Sequence, residues 1–156
     1  MCDVAQVARL LERKWQLLRQ VEEATQRMLD CPGEQLEELM WEREKLIKGL
    51  QKADAELEES CRDQEDGEQV LAAASGRWEE PPSGRLEEVG QAAQRLRTVL
   101  SRLRESESQA MLRLKQEQLE ILEKIKAANQ GGAAKAARFY SQSAGGGLGG
   151  VLLCRV

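Results

Sequence analysis

The sequence predicts an all-α fold, an antiparallel bundle of three long helices with room for a short fourth. Three observations predict it. Charged residues make up 32% and aromatic residues 3% of the 156 residues. Leu, Glu, Arg, Lys, Gln and Ala dominate while Val, Ile and Thr are few, a mix that favours helix over sheet. Apolar residues recur at spacings of three and four over most of the chain, and the three prolines fall between such runs.

The first helix spans about residues 3–30. Asp3 is placed to cap it, its carboxylate accepting an orphan backbone N–H. Val4, Val7, Leu11, Trp15, Leu18, Val21, Thr25 and Met28 line one face. Leu10 and Leu17 widen the stripe, as suits a helix touching two neighbours. Asp30-Cys31-Pro32-Gly33 ends it, because proline disfavours helical geometry in the residue before it. A break this short makes the next helix an antiparallel neighbour.

The second helix runs over 34–62, with an extension to 74 left open. Its stripe is Leu36, Leu39/Met40, Leu46/Ile47, Leu50, Ala53, Leu57 and Cys61. Arg43 falls on the gap in this run. Glu34, Glu37 and Glu38 crowd its first turns, where carboxylates suit the positive helix end. Residues 75–84 are a loop, and Trp78 within it either clamps the loop to the bundle or recognises a partner.

The third long helix covers 85–128. Its stripe is Leu86, Val89, Ala93, Leu96, Val99/Leu100, Leu103, Ala110/Met111, Leu114, Leu119, Ile121/Leu122 and Ile125. Such a helix is roughly 66 Å long against roughly 40 Å for the first. Neighbours therefore fail to cover it end to end unless the second helix reaches residue 74, and the Leu119–Ile125 stretch is free to meet another molecule. The polar run 104–109 is the weakest point of the stripe and the expected place for a bend or frayed packing. Residues 1–130 thus form the bundle. Residues 131–156 read as a short helix and a Gly-rich tail that carries the chain's single Phe139 and single Tyr140.

Function classes narrow by what is missing. The chain has no histidine, which removes the usual neutral-pH acid–base and the commonest metal ligand. The scattered Cys2, Cys31, Cys61 and Cys154 lack zinc-site spacing, and the glycine run 145–150 lacks the Lys and Ser/Thr of a phosphate loop. The expectation is a non-enzyme with no cofactor and no metal. Residues 1–84 carry net charge −9 and residues 85–156 net +5. An acidic front half argues against nucleic acid as a partner. The basic back half either pairs with it internally or faces an acidic partner. No apolar run approaches the ~18 residues of a membrane span, so membrane insertion is not expected. Unpaired cysteines with no preceding signal segment suggest a cytoplasmic protein. Binding through helix surfaces is what remains, with a homodimer as one form of it.

Three stretches resemble the flagellar type III export chaperones, the FlgN/FliT-like proteins of bacteria. They are LLERKWQLLRQVEEATQRMLD (10–30), LEELMWEREKLIKGLQKADAELEE (36–59) and LEILEKIKAANQGGAAKAARFY (119–140). The resemblance implies a chaperone of the cytoplasm that binds the C-terminal amphipathic helix of a hook-associated or filament-cap protein, prevents its premature assembly and delivers it for export. By position, Met111, Leu114, Leu119, Leu122 and Ile125 would cover the client. Phe139 and Tyr140 would dock on the cytoplasmic domain of the export gate, or else fold back as a cap. The Gly/Pro-rich 67–84 segment and the glycine-rich tail depart from the family's pattern. They leave the client and the subfamily open, and self-association or sequestration of another cytosolic protein stand as alternative functions.

Overall fold

The computed structural model describes residues 1–129. Four α-helices follow in order: α1 (Val4–Asp30), α2 (Leu36–Cys61), α3 (Gly67–Ala74) and α4 (Glu87–Ala128). Short 3-10 turns, Gly33–Gln35 and Gly84–Leu86, lead into α2 and α4. The all-α bundle with three long helices and a short fourth is therefore the observed fold. The second helix does not reach residue 74. It stops at Cys61, and a separate α3 follows after a turn at Asp63, whose φ is +60°.

Local chemistry explains the ends of α1. Asp3 Oδ1 accepts from the Gln6 N–H at 3.2 Å, the expected N-cap. At the other end Cys31 turns extended ahead of Pro32. The Arg113 guanidinium of α4 then donates to the Met28 carbonyl at 2.8 Å and to the Cys31 carbonyl. The last carbonyls of a helix have no partner within it, so a cation from a neighbouring helix both satisfies them and suits the negative end of the dipole.

Cross-helix pairs set the directions. Lys14 meets Asp54 at 2.5 Å and Arg27 meets Glu42 at 3.6 Å, so α2 runs antiparallel to α1. Arg95 meets Glu12 and Arg102 meets Glu22, each at 3.0 Å, so α4 runs parallel to α1. The long helices are up, down and up. These contacts also show part of the basic back half pairing with the acidic front half. Trp15 is held in the α1–α4 seam under two guanidinium groups, with Arg95 4.3 Å and Arg19 5.8 Å from the ring centroid.

The short α3 covers the end of the bundle where α2 finishes. Val70, Ala73 and Ala74 are buried there. Gly76 follows with φ +68°, a left-handed conformation that suits glycine, and an added Cβ would stand 2.7 Å from Arg97 Cδ. Trp78 Nε1–H donates to the Ala73 carbonyl at 3.2 Å and the ring is half-buried. It fastens the loop, as one of its two expected roles required.

The core has two apolar parts. The larger joins α1, α2, α3 and α4 through residues such as Val7, Leu11, Leu18, Val21, Ile47, Val70, Val89 and Leu103. The smaller sits at the α1–α2 turn and contains Met28, Leu36, Leu39, Ala110 and Leu114, with Leu29, Cys31, Met40 and Met111 against it. Between them is a polar layer.

Candidate interaction surface at the distal end of α4

The polar layer is built from three helices at one level. Among the described residues, Thr25 of α1, Arg43 of α2, and Ser106 and Glu107 of α4 are the buried polar ones. Arg43 is 1% exposed and Glu107 4%. The Arg43 guanidinium donates through Nη2 to Glu107 Oε1. Gln26 Nε2 donates to Ser106 Oγ at 2.7 Å beside it, and Thr25 Oγ1 donates to the Val21 carbonyl at 2.8 Å. Burial pushes the Glu107 carboxyl up and the Arg43 guanidinium down from their ordinary values, and the attraction of each for the other opposes both shifts. Arg43 Nε, also buried, has no hydrogen-bond partner. Such a pair contributes little net stability over an apolar layer, yet it penalises any register that separates the partners.

This layer corrects one expectation. The run 104–109 neither interrupts the helix nor frays from its neighbours, since α4 is continuous from Glu87 to Ala128 with Ser106 and Glu107 buried. Ser106 and Glu107 face inward and are satisfied by partners on the other two helices. A sequence signal was present: Arg43 occupies a stripe position in α2, and Glu107 lies between Leu103 and Ala110 in α4. Neither position alone shows that the two meet.

The five residues expected to cover a client divide into two groups. Leu114 is 6% exposed and belongs to the smaller apolar cluster. Met111 is half-buried against that cluster. Leu114 is therefore core and offers no free surface, and Met111 packs against it with only part of its side chain in solvent. The physical reason is reach. Arg113 touches the end of α1, and the side chain of Glu117 crosses Gly33 in the α1–α2 turn. The turn therefore stands level with residues 113–117 and covers Met111 and Leu114, while the Leu119–Ile125 stretch expected to be uncovered begins just past it.

Leu119, Leu122 and Ile125 lie past that level. The stretch from Gln118 to Ala128 continues for about 16 Å at the helical rise. Leu119 is 60% exposed, and Ile121, Leu122 and Ile125 are partly exposed. Leu103, Glu107, Ala110, Leu114, Ile121 and Ile125 follow spacings of three, four and seven, so Ile121 and Ile125 continue the face that is core lower down. Leu122 flanks that face and Leu119 stands outside it. Phe139 and Tyr140, expected to dock elsewhere, are outside the described residues.

Other surfaces of the described residues give no chemistry of comparable definition. A shallow groove between the starts of α1 and α4 is lined by Ala5, Ala8, Arg9, Glu12, Ala92 and Arg95, among others. Among the described residues, no group of three or more His, Cys, Asp or Glu is placed to hold a metal ion, and no helix is long and apolar enough to cross a membrane. Compared with protein-family models, curated proteins and solved structures, the chain finds no match.

Proposed function

We propose that the chain is a non-catalytic helical-bundle protein that acts by helix-to-helix association, and that its first partner is a second copy of itself. One observation carries the reading: the core stripe of α4 continues through Ile121 and Ile125 beyond the α1–α2 turn that covers it lower down. Apolar surface at that spacing is covered by another amphipathic helix. The charges of the segment suit self-pairing. Glu117 and Glu120 precede Lys124 and Lys126, so antiparallel apposition of two copies sets unlike charges opposite each other, while Lys115 and Glu123 depart from that order. The seam is only about three turns long, at the small end of interface sizes, so the association is weak and concentration-dependent.

The test is sedimentation velocity over a range of protein concentrations. The expected result is a monomer–dimer equilibrium that L122E shifts to monomer while circular dichroism stays unchanged. A monomer at every concentration would reject self-pairing.

The resemblance of residues 10–30, 36–59 and 119–140 to flagellar export chaperones supports a narrower reading. Here the partner is the amphipathic C-terminal helix of a hook-associated or filament-cap protein, and Leu119, Leu122 and Ile125 take it up. Phe139 and Tyr140 remain the proposed contact to the export gate's cytoplasmic domain. Titrating a synthetic helix of that class into the protein separates the two readings. A one-to-one complex that displaces the dimer favours the chaperone, and no binding beside an intact dimer favours self-association alone.

A further inference from the structure

The outer face of α4 carries a repeat of its own. Glu105, Leu112, Leu119 and Lys126 stand seven residues apart, and all four are exposed. Seven residues make about two helical turns, so these side chains form one line along the helix. Leu112 is 62% exposed and Leu119 60%. The line lies opposite the core face of α4, where Leu103, Ala110 and Leu114 are buried. Towards the start of α4 the same series gives Thr98 and Gln91, both polar and exposed, so its apolar part is bounded. Neither Glu105 nor Lys126 takes part in an ion pair among the described residues. The α3 loop leaves this stretch open, since it approaches α4 at Gly90, Ala93 and Arg97. Single exposed leucines are ordinary. Two in one line, closed by an acid at one end and a base at the other, form a pattern.

We propose that this line is the seam of a symmetric antiparallel dimer. Leu112 of each copy meets Leu119 of the other, and Glu105 of each meets Lys126 of the other. The inference rests on the reading that the partner is a second copy, and it fixes the face and the register of the contact. The order acid, leucine, leucine, base carries it. Turned end for end, that order sets base on acid and leucine on leucine at every rung, the self-complementarity that a two-fold interface needs. A parallel pair would set Glu105 on Glu105 and Lys126 on Lys126. An antiparallel pair shifted by seven residues would leave a leucine facing a charge.

The overlap from residue 105 to residue 126 runs for about 32 Å, roughly six turns. That is twice the seam that the projecting end of α4 offers alone. Leu122 lies between this line and the Ile121–Ile125 stripe, so it borders both. Lys115 of each copy stands between the leucine rungs, close to the two-fold axis. The like charges it brings there keep the pair weak, as a charged side chain inside a helix–helix seam does.

Sedimentation velocity of the full-length chain over a range of concentrations tests the seam, with circular dichroism to show that each variant folds. L112E should raise the dimer dissociation constant by about tenfold or more. It should leave helicity unchanged, because Leu112 stands in solvent in the single chain. E105K and K126E should each raise the constant by about threefold or more. The double variant E105K/K126E should return it to the parent value, since the pairs re-form with their charges exchanged. A dimer that L112E leaves intact and I125E dissolves would overturn this seam while self-association through the distal stripe stands. A double charge variant no tighter than the single ones would overturn the register. A monomer at every concentration would overturn the seam and self-association together.

Discussion

The guanidinium of Arg43 donates to the carboxylate of Glu107 inside the bundle, joining α2 to α4 across 64 residues of sequence. Removing one partner leaves the other charged in a buried layer. Arg43→Met should therefore destabilise the fold by about 3–5 kcal/mol, measured by urea denaturation at pH 7. The double variant Arg43→Met with Glu107→Leu should recover most of that loss, since an apolar layer needs no pairing. A double variant as unstable as the single one would show that the pair is not the source of the effect.

The same pair yields a pH prediction. Burial raises the Glu107 carboxyl, and removing Arg43 takes away the attraction that opposes the rise. A carboxyl raised in the folded state stabilises below its unfolded pKa and costs stability as pH rises through the folded one. The Arg43→Met deficit should accordingly shrink as pH falls towards 4–5, about the ordinary Glu range. Denaturation midpoints at several pH values relative to the parent protein test it, and a deficit independent of pH contradicts it.

Leu114 and Leu122 should separate packing from association. Leu114→Ala removes side-chain volume from the smaller apolar cluster and should cost about 2–5 kcal/mol. Leu122→Ala should change stability by less than about 1 kcal/mol, because its side chain stands partly in solvent beyond the α1–α2 turn. Thermal unfolding of both variants decides. Equal losses would place Leu122 in the core.

The Cys2 backbone N–H donates to Asp66 Oδ1 at 2.9 Å, and Arg85 Nη1 meets Asp66 Oδ2 at 2.6 Å. This N-terminal clamp should be resistant to acid. The Arg85 guanidinium, with the Cys2 backbone N–H after it, holds the Asp66 carboxyl well below the usual carboxylate range. A depressed carboxyl contributes stability above its unfolded pKa and loses it as pH falls through the folded one. Protection of the Cys2 amide against hydrogen exchange should persist through about pH 4 and be absent in Asp66→Asn at any pH. Loss of protection with the ordinary carboxylate titration would mean that Arg85 does not hold Asp66.

Exposed aromatic surface gives a further prediction. Trp15 is stacked beneath Arg95 in the α1–α4 seam, whereas Trp41 is 60% exposed on α2. Iodide should quench Trp41 fluorescence far more than that of Trp15, as read from variants that each retain a single tryptophan. Similar quenching of the two would contradict the packing of the seam.

Much of this fold is legible in the sequence because it follows local rules. Spacings of three and four mark the helices, Asp3 caps the first, and Cys31-Pro32-Gly33 stops it. The stripe residues Val7, Leu11, Ile47, Leu50, Val89 and Leu103 are buried as their spacing requires. Element type and core face depend on neighbours within a turn or two, and the sequence displays those directly. The site was less legible. Met111 and Leu114 belong to the same stripe as Leu122 and Ile125, and nothing local distinguishes covered positions from uncovered ones.

Helix lengths already set the Leu119–Ile125 stretch beyond its neighbours, but only tertiary structure showed that Met111 and Leu114 are covered, by bringing the α1–α2 turn level with residues 113–117 of α4. It also turned the polar run 104–109 from a weak point into a buried layer, because Ser106 and Glu107 meet Gln26 and Arg43 from other helices. The clamp of the Cys2 backbone by Asp66 and Arg85 likewise depends on residues distant in sequence. Helix periodicity is a property of the chain over a few residues, so composition and spacing determined it. Which polar groups find partners, and where a stripe outruns its cover, depend on helix lengths and registers relative to one another, so only the packed bundle decided them.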